Sequence, residues 1–255
     1  MMGPFIKLNT LLLFLFISII QAEPVQATGS SDVPQEYTAR YQVLHNGNRL
    51  ADVTVRLSHE GNTWILHGYT HNTRGLADVL NVHGVQTTTG TWQEGRFYPE
   101  DYRFSFSMIG YKSSWHAGFD WVTGVVNSSG KKWNKQLPIN GGATDPFSLS
   151  LSIRSLLAEN QQHMTIDVIE EDKLDQQEYQ AQSNEPLDTA LGCMDTTRVK
   201  RIRKNAKRTS MFWYANDHNY VPVQVRHAKK NGNDFKLKII SLDVAGKDVL
   251  AVDHC

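Results

Sequence analysis

Two histidines with close spacing raise the first question of chemistry. His67 and His71 are four positions apart, and His83 follows them. On a helix this spacing brings two imidazoles within reach of one metal ion. Residues 64–69 have strand composition, however, and residues four apart on a strand are separated by about 13 Å. We therefore interpret these histidines as ordinary strand or loop residues, and we expect no metal site and no cofactor.

Two aspartates are the candidates for acid catalysis. Asp120 lies between Phe119 and Trp121, and a carboxylate enclosed by aromatic rings can have a raised pKa and act as a general acid. Strand neighbours point to opposite faces, which favours an exposed or hydrogen-bonded Asp120 instead. Asp145 precedes Pro146 and is interpreted as a helix cap. The sequence has no Gly-x-Ser-x-Gly elbow, phosphate loop or dinucleotide fingerprint, so we predict no catalytic residues and no enzyme activity.

The strongest charge feature is a basic run near residue 200. Residues 187–255 have 13 basic and 7 acidic side chains, whereas residues 23–186 have 12 and 19, so the zero net charge hides two opposite parts. Such a run predicts contact with anionic lipid or polysaccharide. The alternative is a solvated hairpin whose cations pair with acids of the first part. The run consists of Arg198, Lys200, Arg201, Arg203, Lys204, Lys207 and Arg208.

The first 22 residues have the three-part layout of a secretory signal peptide. Lys7 gives a cationic start, residues 11–20 are apolar, and Ala22 offers a small residue for cleavage, with Ala27 as a second site. The apolar run is shorter than the roughly 20 residues of a spanning helix, although an uncleaved anchor is the alternative. We find no other stretch that could span a membrane after signal removal. Export, together with the neutral charge, also argues against a nucleic-acid partner.

Export changes the interpretation of the two cysteines. Cys193 and Cys255 would meet an oxidising compartment, where a disulfide between them closes a loop of about 60 residues. In the chain-entropy model such a bridge stabilises the fold by about 3–4 kcal/mol. The alternative is two unpaired cysteines.

Hydrophobic alternation predicts a β-rich protein. From residue 36 to residue 127, short alternating segments separated by Asn and Gly turns predict an antiparallel meander. Short helices are predicted within 75–82 and at about 146–159, and a strand at 164–169. The last third predicts four strands, at 196–204, 208–215, 220–228 and 234–244, with Pro222 at an edge or bulge. We predict a mobile lead-in over residues 23–35 and a single domain over residues 36–255.

Five short motifs occur in an order that resembles a known family. They are Gly75-Leu76-Ala77, Tyr98-Pro99, Phe119-Asp120-Trp121, Asp145-Pro146-Phe147-Ser148-Leu149, and Arg208-Thr209 through Trp213 to Val221-Pro222-Val223. Over residues 36–245 the chain resembles the exported bacterial family of domain of unknown function 3108. The resemblance implies a periplasmic, mainly antiparallel β (α+β) protein. The layout is also similar to the lipoprotein-carrier half-barrels, which implies a large curved sheet or open half-barrel with one or two helices packed on it.

These observations together predict a periplasmic binding or carrier module for an apolar or lipidic ligand. Strand alternation suggests pocket residues, with ordinary core packing as the alternative for each. The second hypothesis is an envelope interaction or structural protein that docks through the basic hairpin 198–208. The oligomeric state stays open. The suggested pocket residues are Trp64, Phe104, Phe106, Phe119, Trp121 and Leu149.

Overall fold

The computed structural model describes residues 34–204, 207–250, 253 and 255. The predicted signal peptide and residues 23–33 of the lead-in lie outside the described residues. Within the described ranges, no helix is long and apolar enough to cross a membrane. The division into signal peptide, lead-in and single domain stays a prediction.

Strands dominate the described residues, and the two helices are short. The helices are α1 (Leu76–Val79) and α2 (Leu149–Ala158), and a 3-10 turn covers Asn216–His218. The strands are β1 (Tyr37–His45), β2 (Asn48–Glu60), β3 (Thr63–His71), β4 (His83–Gln93), β5 (Arg96–Met108), β6 (Tyr111–Asp120), β7 (Val125–Gly130), β8 (Trp133–Pro138), β9 (His163–Glu170), β10 (Lys173–Thr189), β11 (Gly192–Ile202), β12 (Arg208–Ala215), β13 (Val221–Lys229), β14 (Asp234–Val244) and β15 (Lys247–Asp248).

The strands form one antiparallel sheet that is not closed into a barrel. Their spatial order is β8-β7-β6-β5-β4-β3-β2-β1-β14-β13-β12-β11-β10-β9, with β15 on β14. One meander therefore runs from the centre to the β8 edge, and a second runs from the β9 edge back to the centre, where β14 pairs with β1. The predicted fold class, a large open antiparallel sheet with one or two helices, is confirmed.

The segment between β8 and β9 connects the two edges of the sheet. Thr144 forms a parallel bridge to β9, with its amide 2.9 Å from the Asp167 carbonyl oxygen. Ile139 and Ala143 join a buried cluster with residues of β5, β6, β7 and β9. The Ser128 hydroxyl on β7 donates to the Glu171 carbonyl oxygen beyond β9. The sheet is therefore curved enough for residues near its opposite edges to make contact.

Helix α2 begins later than the sequence predicts. The prediction starts the helix at about residue 146, whereas α2 begins at Leu149. The Asp145 carboxylate accepts the amide hydrogens of Phe147 at 2.8 Å and Ser148 at 2.9 Å. Residues 146–148 therefore form a turn ahead of the helix, the N-cap of α2 is Ser148, and the prediction of Asp145 as the helix N-cap is wrong: its carboxylate accepts hydrogen bonds from the preceding turn instead.

Burial of Trp64 depends on a glycine on the neighbouring strand. Gly90 lies at a register shift in the pairing of β4 with β5. A Cβ atom on Gly90 would lie 2.0 Å from the Tyr98 carbonyl oxygen and 2.6 Å from the Trp64 ring. Only glycine therefore allows the indole to pack fully buried against this part of the sheet.

The predicted disulfide is confirmed. Cys193 on β11 is bonded to Cys255, and the two residues are 62 positions apart. The Cys193 amide also donates to the Asp253 carbonyl oxygen at 2.8 Å. The bridge therefore fixes the end of the chain to a strand inside the sheet.

Removal of the disulfide should lower stability. We expect the double variant Cys193→Ser/Cys255→Ser to lose about 3 kcal/mol of unfolding free energy, because the unfolded chain regains the entropy of an open loop. Urea denaturation of the oxidised wild type and of the double variant measures this difference. Reductant should destabilise the wild type and leave the variant unchanged; equal stability of the two oxidised proteins would contradict the prediction.

Asp145 should make stability depend on pH. Burial raises the pKa of its carboxyl group, and this effect outweighs the opposing hydrogen bonds from Ser148, Phe147 and Thr88. The folded state therefore holds the proton more tightly than the unfolded state. The resulting stabilisation is complete below the unfolded pKa and is lost as pH rises through the folded pKa.

The variant Asp145→Asn tests this dependence because it imitates the protonated acid and does not titrate. We expect the wild type to lose stability relative to Asp145→Asn as pH rises from about 4 to about 7. Urea midpoints measured across this range would show the gap. Parallel pH profiles for the two proteins would disprove the effect.

Candidate functional site

An apolar cavity of about 360 Å³ lies beside the N-terminal end of α2. Its lining comes from β1–β5, from β12–β14 and from α2 with the turn before it. The volume and the predominance of apolar side chains are typical of small-molecule sites. Representative lining residues are Val55, Phe104, Phe106, Phe147, Leu149 and Val225.

A second cavity of about 380 Å³ adjoins the first and is basic. Its lining contains four cationic side chains and one carboxylate, that of Glu170. The two cavities share lining residues, so the apolar cavity and the cationic cavity are neighbours. The cations are Arg201, Arg203, Arg208 and Lys229, and the shared residues are Pro146, Leu149, Phe212 and His227.

The arginines of the basic cavity differ in their partners. Arg201 Nη2 is 2.6 Å from an Asp175 carboxylate oxygen, and Nη1 is 3.6 Å from Glu170. Arg203 Nη2 donates to the Ser210 hydroxyl at 3.1 Å, whereas Nη1 is buried without a hydrogen-bond partner among the described residues. Desolvation and the positive charge of Arg201 lower the pKa of Arg203. Arg203 is therefore a cation whose donors are only partly used.

A serine and a histidine are hydrogen-bonded between the two cavities. His227 Nδ1 is 2.8 Å from Ser210 Oγ. The imidazole is exposed toward the cavity, yet desolvation within the concavity and the charges of Arg203 and Arg201 lower its pKa. A catalytic triad also needs an acid on the imidazole. Among the described residues no hydrogen bond joins His227 to an acid, and the Ser210 hydroxyl also accepts a hydrogen bond from Arg203.

The structure brings together half of the suggested pocket residues. Phe104, Phe106 and Leu149 line the apolar cavity. Trp64 is fully buried in one core cluster, and Phe119 and Trp121 belong to another. Sequence reasoning missed Phe147 and Val225, although Phe147 stands inside the Asp145-Pro146-Phe147 motif that marks the start of the helix.

The basic run divides between the two faces of the sheet. Arg201, Arg203 and Arg208 line the basic cavity. Arg198 points to the opposite face, as strand alternation requires, and pairs with Glu185 at 3.0 Å. Lys200, Lys204 and Lys207 are exposed. Arg198 and Arg201 both pair with acids of the first part of the chain, as the solvated-hairpin alternative expects. Lys229 lies outside the run and was missed.

The histidines and aspartates singled out by sequence have ordinary surroundings. His67 and His71 each contact a threonine hydroxyl of a neighbouring strand, at 2.9 and 2.8 Å. His83 contacts the Asn81 side chain. Amide hydrogens of the following turn lower the pKa of exposed Asp120, so the hydrogen-bonded interpretation is confirmed. The described part of the chain has no cluster of three side chains suited to a metal ion.

Arg203 should reduce the stability of the fold. We expect Arg203→Met to raise the unfolding free energy by about 1 kcal/mol, because it removes a partly buried cation that lacks a carboxylate partner. The matched control, Arg198→Met, removes a paired arginine on the opposite face and should leave stability equal or lower. Urea denaturation compares the variants. A larger loss in Arg203→Met than in Arg198→Met would refute this prediction.

Comparisons with known proteins agree with this architecture. The sequence model of the family described as "Protein of unknown function (DUF3108)" matches residues 36–239. No curated protein gives a significant match. A solved β-barrel-like protein of domain of unknown function DUF1849 from Brucella abortus superposes with a TM-score of 0.53 at 9% identity, covering 83% of this chain and 98% of that one. At this identity the likeness concerns the fold alone.

A second solved structure is described as a "putative lipoprotein" from Parabacteroides distasonis. Its TM-score is 0.28 at 10% identity, covering 83% of this chain and 96% of the other. The low score means that this likeness supports no argument about fold or function.

Proposed function

Because the chain belongs to the family of unknown function DUF3108, we propose a function from the cavity itself: a non-enzymatic module that binds or carries an apolar or lipidic ligand. The single observation that supports this proposal is the apolar cavity of about 360 Å³ beside α2. Burial of apolar surface supplies the driving force for such binding.

The exposure of the cavity lining supports a ligand rather than a packed core. Phe104 and Phe106 line the cavity and are only half-buried. Val225 and Leu237, paired across β13 and β14, are only half-buried. Apolar side chains that stay accessible inside a concavity gain free energy when an apolar ligand covers them.

The proposed setting is the periplasm. A signal peptide is predicted at residues 1–22, and the disulfide between Cys193 and Cys255 is of the kind that persists in oxidising compartments. Both features support export.

The alternative of an envelope protein that docks through hairpin 198–208 needs its cations on one surface. Three of the arginines line the cavity instead, and Arg198 is paired on the other face. The distribution of the basic run therefore favours ligand binding over docking.

Filling the cavity should abolish binding of a neutral apolar fluorophore. Val225 pairs with Phe212 on one side and Leu237 on the other, and all three line the cavity. We expect N-phenyl-1-naphthylamine to bind the wild type saturably and Val225→Trp at least about tenfold more weakly, because the indole occupies the space of the ligand. Fluorescence titration measures both affinities.

Ile65→Trp provides the matched control. Ile65 is 42% exposed on β3 and is not part of the cavity lining. This variant should bind the fluorophore like the wild type, and thermal unfolding should show that both tryptophan variants are folded. Absence of saturable binding to the wild type, or equal losses in the two variants, would reject the proposed function.

A further inference from the structure

The junction of the two cavities separates apolar from cationic surroundings over a short distance. Leu149 and Phe212 belong to both linings, so a molecule that fills the apolar cavity has its end next to the arginines. A purely apolar ligand would leave the basic cavity unused. A ligand with an apolar chain and an anionic end matches both chambers.

The charges of the basic cavity are not balanced by its own lining. Glu170 is the one carboxylate against four cations, and it also contacts Arg201 and Lys173. Asp175 pairs with Arg201 from outside the lining. The remaining cations, Arg203, Arg208 and Lys229, therefore give the chamber a positive potential that attracts an anion.

Arg203 is the best placed of these cations to bind the anion directly. Its guanidinium is fixed by the Ser210 hydroxyl, which in turn contacts His227 at the junction. Arg203 lines the cavity and has no carboxylate within salt-bridge distance among the described residues, although its Nη1 is enclosed by the protein. A planar guanidinium without a carboxylate partner matches the oxygens of a carboxylate or phosphate.

We propose that the ligand is an anionic amphiphile whose chain occupies the apolar cavity and whose phosphate or carboxylate headgroup binds Arg203. This inference rests on the proposed function and adds the headgroup and the residue that recognises it. Arg208 and Lys229 at the same cavity contribute attraction, and the Ser210–His227 pair positions the guanidinium.

The test compares ligands that share a chain and differ only in the headgroup. Decyl phosphate, decanoate and 1-decanol displace N-phenyl-1-naphthylamine from the wild type, Arg203→Met, Arg203→Lys and Arg198→Met. We expect at least one of the two anions to bind the wild type about tenfold more tightly than decanol, the size of a good charge-assisted hydrogen bond. The tighter of the two anions identifies the headgroup as phosphate or carboxylate.

The variants separate recognition by Arg203 from general attraction. In Arg203→Met the preference for the anion should fall below about threefold, with unchanged affinity for decanol and for the fluorophore. Arg203→Lys keeps the charge without the planar fork and should retain part of the preference. Arg198→Met should retain all of it.

Each negative result of this experiment contradicts a different part of the two proposals. If the fluorophore binds but anions bind no better than decanol, the inference is overturned and the proposed function survives. If Arg203→Met and Arg198→Met lose the preference equally, the attraction is nonspecific and the inference is overturned. If the wild type does not bind the fluorophore, both proposals fall.

Discussion

The buried carboxylate of Asp145 is the interaction on which the rest of the architecture depends. It accepts hydrogen bonds from the turn that starts α2 and from the Thr88 hydroxyl on β4, while the preceding residue, Thr144, pairs with β9. One side chain thereby joins the helix, the first meander and the connection to the second. The arrangement has a cost, since burial disfavours the charged form and raises the pKa. The directional hydrogen bonds of the Asp145 carboxylate fix one arrangement of these segments, whereas an apolar contact would allow several.

The site follows from this fixed turn. Pro146 and Phe147 come directly after Asp145, and Phe147 lies against β3 where Gly68 leaves room: a Cβ atom there would be 2.7 Å from the phenyl ring. The start of α2 is thus held against the sheet at one point, and the apolar cavity lies beside that point. The same turn provides Pro146 and Leu149 to the basic cavity. The hydrogen bonds of Asp145, the close contact at Gly68 and the position of the apolar cavity therefore all depend on the conformation of this turn.

Sequence reasoning predicted most of the strands with clear apolar alternation and missed β8 and β10. The alternation along β1 and the glycine turn after it were readable because tyrosines and aliphatics mark the inner face. Strand β10 was missed. It is rich in Gln, Asp and Glu, and one of its inward positions is Gln177, whose amide is satisfied by Glu170 and by the Tyr179 hydroxyl. Hydrogen bonds across the fold, invisible in a local pattern, made this polar strand acceptable in the sheet.

The candidate site also depends on contacts between distant elements, which a local sequence pattern does not show. Alternation gives the face on which a side chain lies, but not how far another element stands from it, so Trp64 and Phe104 have equivalent sequence signals and different surroundings. For the basic run, alternation along β11 places Arg198 and Arg201 on opposite faces, whereas the sequence prediction treated the run as one surface. What it could not show was the unequal pairing of the two inward arginines: Arg201 meets two carboxylates, and Arg203 meets a hydroxyl. A partly desolvated guanidinium with an unused donor weakens the isolated fold, and selection for stability alone would replace it. Its place in the basic cavity, next to the apolar one, is the observation from which we propose an anionic ligand.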